Sequence, residues 1–124
     1  MLLKHRDITQ GIIECYYSVY NELGYGFLEK VYEKSLEIEL KSKGFAVEVQ
    51  KPIHVYYKDE SVGAYFADMV VEGVVILELK AASSLMPQHE AQLINYLKAT
   101  NIEVGLLLNF GLQPEFKRKV YTNK

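Results

Sequence analysis

Apolar and polar positions along this chain recur with two periods, and the changes of period mark its elements. From Asp7 to Leu23, the residues Ile8, Ile12, Val19 and Leu23, with Cys15 or Tyr16 between, keep the spacing of one buried helical stripe. The pattern predicts a helix with Asp7 as N-cap. Gly24-Tyr25-Gly26 breaks it, and a second helix is expected from about Phe27 to Lys43, stopped by Gly44. There Leu28, Tyr32, Leu36 and Leu40 recur every fourth residue, with Val31 and Ile38 alongside, as the expected buried face. Glu29 borders that stripe in the first turn, as a helix-dipole carboxylate or as an acid aimed at a site.

The period then falls to two. Phe45 to Tyr57 reads as a strand in which Pro52 suggests an edge or a bend. After a polar turn, Lys58 to Ser61, two strands follow as a hairpin, Val62 to Val71 and Val74 to Lys80. Ala81 to Met86 is a loop of mostly small residues. Pro87 suits the first position of a helix reaching about Thr100, with Ala91, Leu93, Ile94 and Leu97 as its apolar arc. His89, Gln92 and Tyr96 form a polar stripe beside that arc. Glu103 to Phe110 is almost wholly apolar, as a strand buried on both faces should be, and Gln113 to Lys124 reads as a basic tail. The expected fold is therefore α/β of mixed α+β character. It has a central mixed four-stranded sheet flanked by helices, with the strands on either side of the third helix parallel through a right-handed crossover.

The hairpin carries three charges in apolar text: Asp68, Glu78 and Lys80. An ionised group in a buried strand costs several kcal/mol, on the order of 3–5, unless it is paired or binds a metal. Glu78 and Lys80 share a face, because strand side chains alternate. Asp68 joins them only if the turn has an odd number of residues. A loop of Val71 to Gly73 would pair Val70 with Val74 and set Asp68 opposite Ile76, diagonal to Glu78. Only an odd loop makes sense of the charges, and it is the one expected. Two oxygen donors bridged by one cation, with an ammonium two residues beyond, suit phosphodiester hydrolysis assisted by Mg²⁺ or Mn²⁺. The bland alternative is an Asp–Lys or Glu–Lys pair on an exposed edge. Against it stands the convergence of Glu29, Asp68, Glu78-Leu79-Lys80 and the Gln92/Tyr96 stripe from separate stretches of chain.

Composition narrows the classes. At 124 residues and 49% hydrophobic content, the chain fits one domain, residues 1–124, with a real core. A lone cysteine, Cys15, forms no internal disulfide and reads as core filler, and with no secretory or membrane-spanning pattern a cytoplasmic location is expected. The net charge of −2 argues against a general nucleic-acid coat without excluding an enzyme that acts on one.

Taken together, the motifs resemble the PD-(D/E)xK nuclease superfamily, and within it the small GxxExxY family. Gly26-Phe27-Leu28-Glu29-Lys30-Val31-Tyr32 supplies the name-giving pattern, and Ala67-Asp68 stands where the superfamily has Pro-Asp. Glu78-Leu79-Lys80 is the E-x-K element, and Gln92-Leu93-Ile94-Asn95-Tyr96 fits Q-x-x-x-Y. The resemblance implies a restriction-endonuclease-like α-β-β-β-α-β core and a metal-dependent nuclease acting on DNA, or on RNA. By the same resemblance Asp68, Glu78, the Leu79 carbonyl and Glu29 would hold Mg²⁺ or Mn²⁺. Lys80 would assist the attacking water, and Gln92 and Tyr96 would steady the substrate or the metal shell. His89 suits Mg²⁺ poorly and reads equally as a helix-surface hydrogen-bonder. The rival expectation is a catalytically weak nucleic-acid-binding or partner-recruiting module on the same fold. A homodimer through the tyrosine-rich first helix can coexist with either.

Overall fold

The strand Val75–Lys80 lies at the middle of a five-stranded sheet, and the residues Val75 to Leu79 are all buried. In the computed structural model, residues 4–122 are described. Their elements run α1 (Arg6–Leu23), α2 (Glu29–Ser42), β1 (Val47–Tyr57), β2 (Glu60–Val71), β3 (Val75–Lys80), α3 (Pro87–Lys98), β4 (Val104–Phe110) and β5 (Pro114–Val120). Sheet order follows chain order. β3 and β4 are parallel across α3, and the other pairs are antiparallel. Pro52 lies on the edge strand β1, where its missing N–H leaves no central ladder bond unmade.

The sheet is covered on both faces. Ile12, Tyr16 and Val19 of α1 and Tyr32, Leu36 and Leu40 of α2 pack with Met69, Leu77, Leu106 and other strand residues. Leu93, Tyr96 and Leu97 of α3 pack on Val70, Ile76 and Leu107 from the other side. The approach of α3 is close: a Cβ at Gly105 would stand 2.7 Å from Leu93 Cδ1. Cys15 is buried in the first of these layers.

Several expectations need correction. Pro114–Val120 of the expected basic tail forms the strand β5, antiparallel to β4, so the sheet has five strands rather than four with β5 as its second edge. The tail's Lys124 lies outside the described residues. Phe116 anchors that strand against Tyr16 and Tyr17. Of the α1 tyrosines, Tyr16 is fully buried, while Tyr20 is partly buried and donates its hydroxyl to the carbonyls of Gly111 and Leu112. Asp7 lies inside the first turn, and His5, at φ 54°, holds the cap position without a side-chain bond. Leu28, 79% exposed, is the extended cap residue of α2, because the turn through Gly24 and Gly26 delays the helix until Glu29. Val31 and Ile38 are exposed as well, leaving a narrower stripe of Tyr32, Leu36 and Leu40.

The hairpins set the register on which the site depends. Lys58 and Asp59 both have positive φ, 50° and 67°, so β1 and β2 join through a tight two-residue turn and β2 begins at Glu60. Between β2 and β3 the loop does have three residues. It is Glu72 to Val74, with Val71 opposite Val75 and Val70 opposite Ile76. The parity is as expected, but the register differs by two residues, which aligns Asp68 with Glu78 rather than with Ile76. Glu72 sets it: its N–H donates to the Ala46 carbonyl and its carboxylate accepts the Ala46 N–H at 2.6 Å.

Candidate active site

The ladder between β2 and β3 ends at the pair Met69–Leu77. One step further, side chains replace it. The Asp68 N–H donates to Glu78 Oε2 at 2.9 Å, and the Leu79 N–H donates to Asp68 Oδ2 at 2.8 Å. Each carboxylate thus satisfies a backbone donor of the opposite strand, and both enter the gap where the strands part. The gap has a matching fault on its other side. Gln50 on β1 has φ 51° and makes no pair with Asp68, although Val49–Met69 and Lys51–Ala67 are in register. Alternation also breaks here, since Met69 and Val71 face the α1/α2 layer while Ala67 faces α3. A non-glycine residue held at positive φ within a strand costs about 1–3 kcal/mol and marks a place where structure serves something else.

What the break does is deliver α2 to the same gap. Gln50 Nε2 donates to Glu33 Oε2 at 2.9 Å and reaches Asp68 Oδ1 at 3.5 Å. Glu29, the first residue of α2, is exposed, and its negative charge still helps raise the Glu78 carboxyl. The Tyr32 hydroxyl steadies that helix start by accepting the Phe27 N–H at 3.2 Å and donating to the Gly24 carbonyl at 2.7 Å.

Electrostatically the gap holds more buried carboxylate than its positive neighbours offset. Burial, then the neighbouring Asp68 charge, pushes the Glu78 carboxyl up to about 8, against the opposing pull of the Asp68 N–H and Lys80. Asp68 is also raised by burial, opposed by the Leu79 N–H, Lys80 and Gln50. Glu33 is raised by burial and by Asp68. A hard divalent cation fits this donor set, which is all oxygen and would be relieved by added positive charge. Among the described residues no three His, Cys, Asp or Glu side chains form a metal-holding cluster, so Asp68 and Glu78 make a pair that Glu29 borders without joining.

Lys80 and α3 close the other side. Lys80 Nζ lies 3.5 Å from Gln92 Oε1, and its charge acts on both Asp68 and Glu78. The chain just after it is clamped: buried Asn109 accepts the Ala82 N–H and donates to the Ala82 carbonyl, both at 2.9 Å. A Cβ at Gly111 would meet that carbonyl at 2.5 Å, so only glycine leaves the clamp its room. The Tyr96 hydroxyl is pushed up to about 12 by burial and by Glu78 and Asp68, so it stays protonated, a hydrogen-bond donor, well beyond neutral pH. His89 is spent elsewhere, its Nδ1 accepting the Met86 N–H at 3.0 Å at the start of α3.

The structure thus brings together Asp68, Glu78, Leu79, Lys80, Gln92 and Tyr96, with Glu29 at the margin. Sequence reading missed Glu33, Gln50 and Asn109. Glu33 had a signal, lying one helical turn from Glu29 on the same face. Asn109 did too, as the single polar residue between Val104 and Phe110. Nothing in the alternation around Gln50 marks it.

The molecule is thus a mixed α/β protein with helices on both faces of its sheet and a carboxylate pair beside a lysine where two strands part. The family model for the PD-(D/E)XK nuclease superfamily matches residues 6–119, and the chain belongs to that superfamily. Among solved structures, the chain resembles the crystal structure of SSO0001 with a TM-score of 0.59 and 19% identity, covering 77% of this chain. It spans 52% of that chain, about half its length, and the likeness is one of fold. No curated protein matches the chain.

Proposed function

We propose that this protein is a metal-dependent nuclease that hydrolyses phosphodiester bonds of DNA, with Asp68, Glu78 and Lys80 as its working set. One observation carries the reading: two carboxylates from adjacent strands enter one gap, each accepting a backbone bond from the opposite strand, with Lys80 beside them. Membership of the superfamily supports nucleic acid as the substrate. The motif from Gly26 to Tyr32, tied by the Tyr32 hydroxyl, supports a place in the smaller GxxExxY family.

In this reading Asp68 and Glu78, both deprotonated, would hold Mg²⁺ or Mn²⁺, with the Leu79 carbonyl as a further oxygen donor and Glu29 serving directly or through water. When bound, the cation supplies positive charge against the charge building on phosphorus and makes water more acidic. Lys80 orients the attacking water and offsets negative charge in the transition state. Gln92 accepts from Lys80 and holds the ammonium in place. Tyr96, protonated, donates to a phosphate oxygen. The test is end-labelled DNA and RNA incubated with Mg²⁺ or Mn²⁺, wild type beside Asp68→Asn and Glu78→Gln. Metal-dependent products from wild type alone support the proposal. Cleavage that survives either substitution, or none with any metal, refutes it.

A further inference from the structure

β2 pairs with β1 from Glu60 to Val71 but with β3 only from Met69 to Val71, so the rest of the β1–β2 hairpin extends as a two-stranded arm. Between that arm and α3 lies an open groove of about 800 Å³. Its lining includes Gln92, which meets Lys80, and Tyr96, whose hydroxyl feels the Glu78 and Asp68 charges. Tyr56 and Tyr65 line it from the arm, and Gln88 and Asn95 from the helix. Tyr56 is 63% exposed and Tyr65 49%, and the Tyr65 ring stands 5.7 Å from that of Tyr96.

Three features of this lining point the same way. The chain has 16 Asp and Glu against 14 Lys and Arg, yet no acidic residue lines the groove, whose charged and imidazole members are Lys98 and His54. An acidic protein that keeps carboxylates out of a groove bordered by Gln92 and Tyr96 leaves a polyanion a path there. The tyrosine rings offer faces on which bases stack in any sequence. The amides of Gln88, Gln92 and Asn95 offer donors and acceptors for base edges. In a duplex the base faces are covered by their neighbours and the pairing edges are occupied, so rings and amides together have use only for unpaired bases.

We propose that this groove holds single-stranded nucleic acid, with unpaired bases against Tyr56 and Tyr65 and the backbone led past Tyr96 to Asp68 and Glu78. The inference rests on the hydrolytic reading of that site and adds the form of its substrate. It is tested on the full chain by fluorescence anisotropy in metal-free buffer. The probes are labelled oligo(dT), oligo(U) of the same length, about twelve nucleotides, and a duplex closed by hairpins at both ends. Either single strand should bind at least about ten-fold more tightly than the closed duplex, and their ratio shows whether DNA or RNA is preferred. Tyr56→Ala and Tyr65→Ala should each weaken that binding about ten-fold, while Tyr57→Ala, exposed but outside the groove, should not change it. Duplex bound as tightly as single strand, or tyrosine variants that bind normally, overturns the proposal. So does a dimer that Tyr56→Ala dissociates without loss of oligonucleotide binding, which would assign the groove to a second copy. Cleavage assayed in parallel with Mn²⁺ separates the two readings. Tyrosine-dependent binding without cleavage sinks the hydrolytic reading alone, and cleavage by wild type with tyrosine-independent binding sinks the groove alone.

Discussion

Asp68 and Glu78 exchange backbone bonds across the point where their strands separate: Asp68 donates its N–H to the Glu78 carboxylate, and the Asp68 carboxylate takes the N–H of Leu79. These side chains therefore do two jobs, ending a β-ladder without orphaned donors and placing a buried carboxylate beside a half-buried one. The second job is electrostatically unfavourable, and the pH behaviour of the protein should reveal it.

A carboxyl raised in the folded state makes the native protein bind more protons than the unfolded chain. The Glu78 carboxyl rises from an ordinary 4.5 to about 8, so stability should be highest at or below about pH 4.5 as far as this group is concerned. It should fall as pH rises toward 8. In metal-free buffer the melting temperature should decline across that window, and Glu78→Gln should flatten the decline. A wild-type melting temperature that rises over the same range would contradict the assigned direction.

The same proton opposes a cation. Binding of Mn²⁺ must displace it from Glu78, so affinity should increase with pH up to about 8 and level off above. At a metal concentration about 100-fold over the dissociation constant, the gain in stability is about 2.7 kcal/mol, readable as a rise in melting temperature. Asp68→Asn preserves an acceptor for the Leu79 N–H but removes a charge, and should abolish the rise. An equal rise in that variant would place the metal elsewhere.

Gln50 offers a test that separates backbone from side chain. Gly suits φ 51° without strain, so Gln50→Gly should leave stability unchanged or raise it by about 0.5–1 kcal/mol. It also deletes the amide between Glu33 and Asp68, so activity should drop about ten-fold while Gln50→Asn retains more. Loss of stability in Gln50→Gly would show that the amide serves the fold.

These cases show what the chain's pattern could and could not reveal. Asp68, Glu78 and Lys80 were legible because charge in apolar strand text is costly and demands a partner. The odd loop followed from that cost, and the structure has it, although one residue later in the chain than expected. What placed it there is a long-range contact, Glu72 with Ala46, which no local pattern contains. β5 was hidden because Lys117, Arg118 and Lys119 interrupt alternation on an edge strand, where charge is tolerated. Leu28 misled because its fourfold spacing continues a stripe whose helix has not yet begun. Gln50 was illegible because its role comes from a left-handed backbone set by tertiary structure.

Lys80 can act in the chemistry, on phosphate or in the fold. Among the described residues it makes no ion pair within 4 Å, is half-buried, and meets Gln92 at 3.5 Å. If it were the structural counterion of Glu78, its removal would strand a buried carboxylate and cost about 3–5 kcal/mol. The geometry argues otherwise, because Glu78 already accepts the Asp68 N–H and its burial favours the protonated form without metal. Lys80→Ala should therefore leave the metal-free melting temperature close to wild type. If Lys80 only contacts phosphate, the variant should bind nucleic acid more weakly with a salt slope lower by about one counterion, and cut in proportion to occupancy. If it serves the transition state, saturating substrate should not rescue the rate: kcat should fall at least about 100-fold with binding little changed. Single-turnover cleavage at saturating DNA with Mn²⁺, measured beside anisotropy and melting, distinguishes the three. The expected result is a large loss in kcat with the other two preserved. A destabilised variant, or one rescued by substrate, would remove Lys80 from the chemistry and leave the carboxylate pair to account for it alone.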